Sequence, residues 1–129
     1  MQNNQPLVSV IMNCFNGEKY LREAIDSVIN QTYQNWELVF WDNASTDSSA
    51  NIAKGYDKRI KYHLASKTTP LGEARNFALE KVSGEYIAFL DCDDVYSPDK
   101  LQKQVKLMHN KNYAMCYGSA VIINERGKE

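Results

Sequence analysis

Three cysteines, three prolines and two histidines among 129 residues leave several chemistries without material. Cys14, Cys92 and Cys116 are too few and too scattered for a disulfide framework or a zinc site, so they are expected to be free thiols of a cytoplasmic protein. Long apolar runs are missing too: none approaches the roughly 20 residues of a membrane-spanning helix. The N-terminal "MQNNQPLVSVIMNCF" lacks the basic region and small-residue cleavage site of a secretory leader. Lysine and arginine (15) do not outnumber aspartate and glutamate (16), and a net charge of -1 carries no nucleic-acid footprint. Repeats, linkers and low-complexity stretches are absent. The turn "NCFNGEKY" has none of the Gly-x-Gly-x-x-Gly spacing that lets a dinucleotide pyrophosphate approach the backbone.

What remains is a chain long enough for one domain with a real core, 43% apolar and 24% charged. Strand patterns alternate with helical ones, the signature of an α/β domain with a mostly parallel central sheet flanked by helices. "LVSVIMNCF" (7–15) and "WELVFW" (36–41) are nearly continuous in apolarity, as strands covered on both faces are. "RIKYHLA" alternates, and Tyr86 to Leu90 of "EYIAFLDCDD" reads as a buried strand. "YAMCYGSAVIIN" (113–124) is expected to be a fifth. Helices are expected from Glu18, with apolar residues through Ile29; around Ile52 and Ala53, capped by Ser45 or Thr46; and from Pro70 towards Gly84. A last helix is expected in "SPDKLQKQVKLMHNK", capped by Ser97 with Pro98 at its first position.

Polar residues follow three of these strands: Asn13 and Asn16, then Asp42 and Asn43, then Asp91, Asp93 and Asp94. In a parallel sheet these groups converge on one edge, where open α/β sheets bind ligands. Carboxylates with no adjacent cation repel one another unless a cation intervenes, and hard Mg²⁺ or Mn²⁺, completed by phosphate oxygens, suits them. On an extended chain Asp91 and Asp93 point to the same side, about 7 Å apart. The other reading, a solvated turn before a helix N-terminus, stands equally open on these residues alone. His63 and His109 have no partner constellation, and Cys92 lies between oxygen ligands with no chemistry of its own.

In that order and spacing, "VSVIMNCFNGEKYLREAIDSVINQTYQNWELVFWDNASTDSS", "PLGEARNFALEKVSGEYIAFLDCDD" and "YSPDKLQKQV" resemble the N-terminal, nucleotide-sugar-binding part of family 2 glycosyltransferases of the GT-A fold. The resemblance covers most of residues 7–106. It implies transfer of a sugar from a nucleotide diphosphate sugar, often a UDP-sugar, to a saccharide or lipid-linked acceptor, as in cell-surface polysaccharide synthesis. Phe15 then matches the ring that stacks on the nucleobase, the alternative being core packing. Asn16 and Asp42 match nucleotide-binding positions, and Asn43 stands where a second acid is usual. Arg75 faces the diphosphate, Asp91 serves the ribose or a metal-bound water, and Asp93, with Asp91, holds Mn²⁺ or Mg²⁺, with Asp94 behind them. The family's catalytic base and acceptor site lie beyond residue 129. Residues 1–129 are thus expected to be a single donor-binding domain, truncated at the acceptor-binding half and transferring sugar poorly alone, of an inverting enzyme at the inner face of a membrane. A non-catalytic nucleotide-binding or assembly module is the alternative.

Overall fold

The computed structural model describes residues 5–127. Four strands form one wholly parallel sheet: β1 (Val8–Cys14), β2 (Trp36–Asp42), β3 (Ile60–Leu64) and β4 (Tyr86–Phe89), in the order β3-β2-β1-β4. The chain steps outward from β1 to β3, then returns to the far side of β1, so strand order reverses between β1 and β4. Helices α1 (Leu21–Ile29), α2 (Ser49–Lys54), α3 (Leu71–Leu79) and α4 (Lys100–Lys111) provide the connections and the cover.

Residues of opposite parity along β1 and β2 face opposite ways. Val8, Val10, Met12 and Cys14, with Leu38 and Phe40, join Leu21, Ala24, Ile25 and Val28 of α1, Ile52 of α2, and Leu101 and Val105 of α4 in the main core. Ile11 and Val39 point to the other face and meet Ala78 of α3. The near-continuous burial of β1 and β2 follows from this double cover. At the opposite end from the site, Glu37 anchors the entry to β4. Its carboxylate accepts from the Ser9 hydroxyl (2.6 Å) and from the amide and hydroxyl of Ser83 (both 2.8 Å). Beside it, Gly84 comes so close that a Cβ would stand 2.6 Å from the Leu7 carbonyl.

Several local expectations are corrected. Residues 113–124 form no strand: β-branched residues supply propensity, but a strand exists by pairing, and this segment joins no ladder, with Tyr117 91% and Ile122 93% exposed. Strand β4 is not buried throughout. It is an outer strand, and Ile87 and Phe89 are exposed while Tyr86 and Ala88 pack on the core. The helix around Ile52 starts at Ser49, because Ser45 and Asp47 are engaged with the neighbouring loop. The helix after Pro70 ends at Leu79, before Gly84. Ser97 does not cap α4, which begins at Lys100. Its cap comes from another element: the buried Gln31 side chain donates to the carbonyls of Ser27 and Ser97 and accepts from the Leu101 amide (3.0 Å). Among the described residues no helix is long and apolar enough to cross a membrane.

Candidate functional site

The carboxyl ends of β1, β2 and β4 meet at one edge, and two dissimilar loop systems meet with them. The first joins the turn after β1 to the turn after β2. Two residues after each strand stands a left-handed residue, Asn16 (φ 51°) and Ala44 (φ 63°), which turns the chain sharply out of the sheet. Hydrogen bonds then run both ways. The Asn16 amide donates to Ser45 Oγ (3.0 Å), while Asn16 Oδ1 accepts from the Thr46 amide (2.8 Å). The Gly17 amide donates to Ser49 Oγ (3.0 Å), and the Glu18 amide to Asp47 Oδ2 (3.1 Å). In return, Glu18 Oε2 accepts from the Ser48 amide (2.9 Å).

Asp42 sits beneath this clasp, wholly buried. Its Oδ1 accepts from the Ser45 amide (2.8 Å) and its Oδ2 from the Tyr62 hydroxyl (2.6 Å), and burial together with that carboxylate pushes the Tyr62 phenol upward. Asn43, also buried, grips one residue with both ends of its amide: Nδ2 donates to the Thr69 carbonyl (2.7 Å) and Oδ1 accepts from the Thr69 amide (3.1 Å). An aspartate could accept from Thr69 but could not donate to it, so the asparagine is what ties β2 to the segment leading into α3. Phe15 is 52% exposed, so it is not a core residue.

The second loop is the acid turn after β4. Asp91 and Asp93 do not lie on an extended chain as expected; the Asp94 amide donates to the Asp91 carbonyl (3.1 Å) and closes a turn, which sets the carboxylates by turn geometry. All three are exposed. Asp91 pairs with Arg75 of α3 (3.2 Å), and both groups reach solvent. The fold thus supplies the cation that the local sequence lacks. Burial, then Asp93 and Asp91, hold the Asp94 carboxyl above its ordinary value. Asp47, in the clasp, shows the reverse: burial alone would raise it, but the hydroxyl and amide of Ser49 and the Glu18 amide draw it down.

Among the described residues no group of three or more His, Cys, Asp and Glu gathers as a metal cage. The donor set still fits a hard divalent ion, because Mg²⁺-type sites use one or two carboxylates and leave the other positions to water and substrate phosphate. His63 stacks on Trp41, and His109 lies on α4, both away from the acids. Cys14 and Cys92 are in contact: the hydrogen bond from Cys92, helped by Ser49 and opposed by burial, draws the Cys14 thiol down to about 7, and the same bond raises Cys92. The clasp, the Asp42–Tyr62 bond, the Thr69 grip and the paired thiols were not singled out from the sequence. Of these, Tyr62 had a visible cue in the alternation of β3.

Comparison with known proteins places these features in context. The family model described as Glycosyl transferase family 2 matches residues 9–129. An uncharacterized glycosyltransferase of Haemophilus influenzae is 40% identical over 129 residues, covering 98% of this chain and 52% of that protein. The UDP-Glc:alpha-D-GlcNAc-diphosphoundecaprenol beta-1,3-glucosyltransferase WfgD of Escherichia coli is 40% identical over 119 residues, covering 92% of this chain and 47% of that protein. The chain therefore spans about half the length of these curated relatives. Among solved structures, S. aureus TarS 1-349 in complex with UDP-GlcNAc superposes with a TM-score of 0.78 at 28% identity, over 81% of this chain and 32% of that one. The mannosyltransferase PcManGT from Pyrobaculum calidifontis, in complex with GDP-Man and Mn²⁺, gives 0.73 at 25% identity, over 82% and 33%.

Proposed function

The chain belongs to glycosyl transferase family 2 and has the GT-A fold, and from that premise we propose that it is the donor-binding half of a glycosyltransferase. The donor is a nucleotide diphosphate sugar of the UDP type, and the acceptor a saccharide or lipid-linked saccharide of a cell-surface polysaccharide. The observation that carries this reading is the position of the acid turn. It stands where strand order reverses, with exposed carboxylates and Arg75 facing it from α3.

Each group then has a task. Phe15 offers an exposed ring to the nucleobase, and Asp42, Asn43 and Asn16, held by the protein's own hydrogen bonds, fix the loops at the base and ribose end. Arg75 supplies positive charge to the diphosphate as it leaves, while Asp91 serves the ribose or a metal-bound water. Asp93 and Asp91 would hold Mn²⁺ or Mg²⁺, which when bound neutralises charge on the departing nucleotide as a Lewis acid. The general base that takes the acceptor proton is assigned to no residue of 1–129, so this chain is expected to bind donor and to transfer sugar weakly or not at all by itself. A lipid-linked acceptor, of the kind in WfgD's own name, would bring the whole enzyme to the cytoplasmic face of a membrane.

Calorimetric titration of UDP in the presence of Mn²⁺, repeated with EDTA and with GDP, tests the reading. Metal-dependent UDP binding is the expected result. A folded chain that binds neither nucleotide under any of these conditions would overturn it.

A further inference from the structure

The sulfurs of Cys14 and Cys92 meet where β1 ends and the acid turn begins. The β1–β4 pairing ends at Ile11 opposite Phe89, and both cysteines lie three residues beyond it at the same edge of the sheet. The side chains agree with this placement. A Cβ on Gly17 would stand 2.8 Å from Cys14 Sγ and 2.9 Å from Cys92 Sγ, so both sulfurs back onto the same glycine. Cys14 is buried, Cys92 is partly exposed, and both are free.

We propose that Cys14 and Cys92 are an oxidisable dithiol that forms a reversible intramolecular disulfide with hydrogen peroxide as oxidant. One of the two sulfurs attacks a peroxide oxygen and becomes a sulfenic acid; the hydroxide released leaves as water with that thiol's proton. The other sulfur then displaces the sulfenic hydroxyl, which leaves as a second water with the remaining thiol proton. Two thiols lose two electrons and two protons, and one peroxide is reduced to two waters. The new bond ties the end of β1 to the residue lying between Asp91 and Asp93. Its formation depends on none of the roles given to those carboxylates, so it stands or falls apart from the sugar-transfer reading.

The folded chain is treated with hydrogen peroxide, and thiols, mass and linked peptides are followed beside the Cys92→Ser and Cys116→Ser variants, each first checked for native circular dichroism. Free thiols are expected to fall from three to one, with a mass loss of two hydrogen atoms, a Cys14–Cys92 linked peptide, and full reversal by dithiothreitol. The Cys116→Ser chain should behave alike, whereas Cys92→Ser should form no intramolecular bond. Hydrogen exchange of the amides from 90 to 96 should slow in the oxidised chain. The inference fails if the bond forms only in urea, if it involves Cys116, if Cys92 over-oxidises without pairing, or if exchange in the turn is unchanged.

Discussion

The two loop systems at the sheet edge are built on opposite plans. In the clasp between residues 15–18 and 42–49, polar side chains find partners inside the protein, and the deepest, Asp42, accepts two hydrogen bonds while wholly buried. In the acid turn the carboxylates face solvent, and Asp91 meets one partly exposed arginine. Even the direction of carboxyl shifts inverts, downward for Asp47 and upward for Asp94. The clasp is finished by folding, whereas the turn keeps exposed negative charge that folding pairs only at Asp91. Changes in the clasp should therefore be felt in stability, and changes in the turn in ligand binding.

The sharpest way to break that contrast is Asp42→Ala. It leaves the Ser45 amide and the Tyr62 hydroxyl without their acceptor, and two such losses cost about 3 kcal/mol. Urea unfolding measures it, and a loss below about 1 kcal/mol would show that water replaces the carboxylate easily. Next comes Gly17→Ala. A methyl there meets both sulfurs at under 3 Å, and forcing them apart costs about 2 kcal/mol. Because Gly17 joins the clasp to Cys92, this variant should also loosen the acid turn, visible as faster amide exchange at Asp94. Asp93→Ala should leave the unfolding midpoint unchanged, yet weaken Mn²⁺-dependent UDP binding by at least about tenfold, ~1.4 kcal/mol. Equal affinity in variant and parent would remove Asp93 from the metal role.

The fold was legible because its signals are local and redundant. Continuous apolarity in β1 and β2 announced burial on both faces, and polar residues after three strands gather at one edge of the parallel sheet. What stayed hidden depends on partners distant in sequence. Gln31 caps α4 from 70 residues away, which no cap preference in "SPDK" encodes. The fifth strand failed for a related reason: "YAMCYGSAVIIN" has the propensity of a strand, but pairing is a tertiary fact. At the site, residue types announced the acid turn and Arg75, yet only the fold joins Arg75 to Asp91, Asn43 to Thr69 and Cys14 to Cys92.

The smallest expected effect sharpens the comparison most finely, because it concerns sign. Asp47 titrates below its ordinary 3.8 in the folded chain, since the donors from Ser49 and Glu18 outweigh the penalty of its burial. The folded state then binds this proton less readily than the unfolded state does. Its stabilising contribution is whole above the ordinary value and disappears as pH falls through the lower, folded value. Asp47→Asn removes the charge and one of the two acceptor oxygens, so the variant should be less stable than the parent at neutral pH, by only about half a kcal/mol because the group is partly solvated. That gap should close as the solution is acidified below pH 3.8. Urea unfolding of both proteins along a pH series reads the difference directly. A gap that persists unchanged at the acid end would mean that shape, rather than charge, is what Asp47 contributes to the clasp.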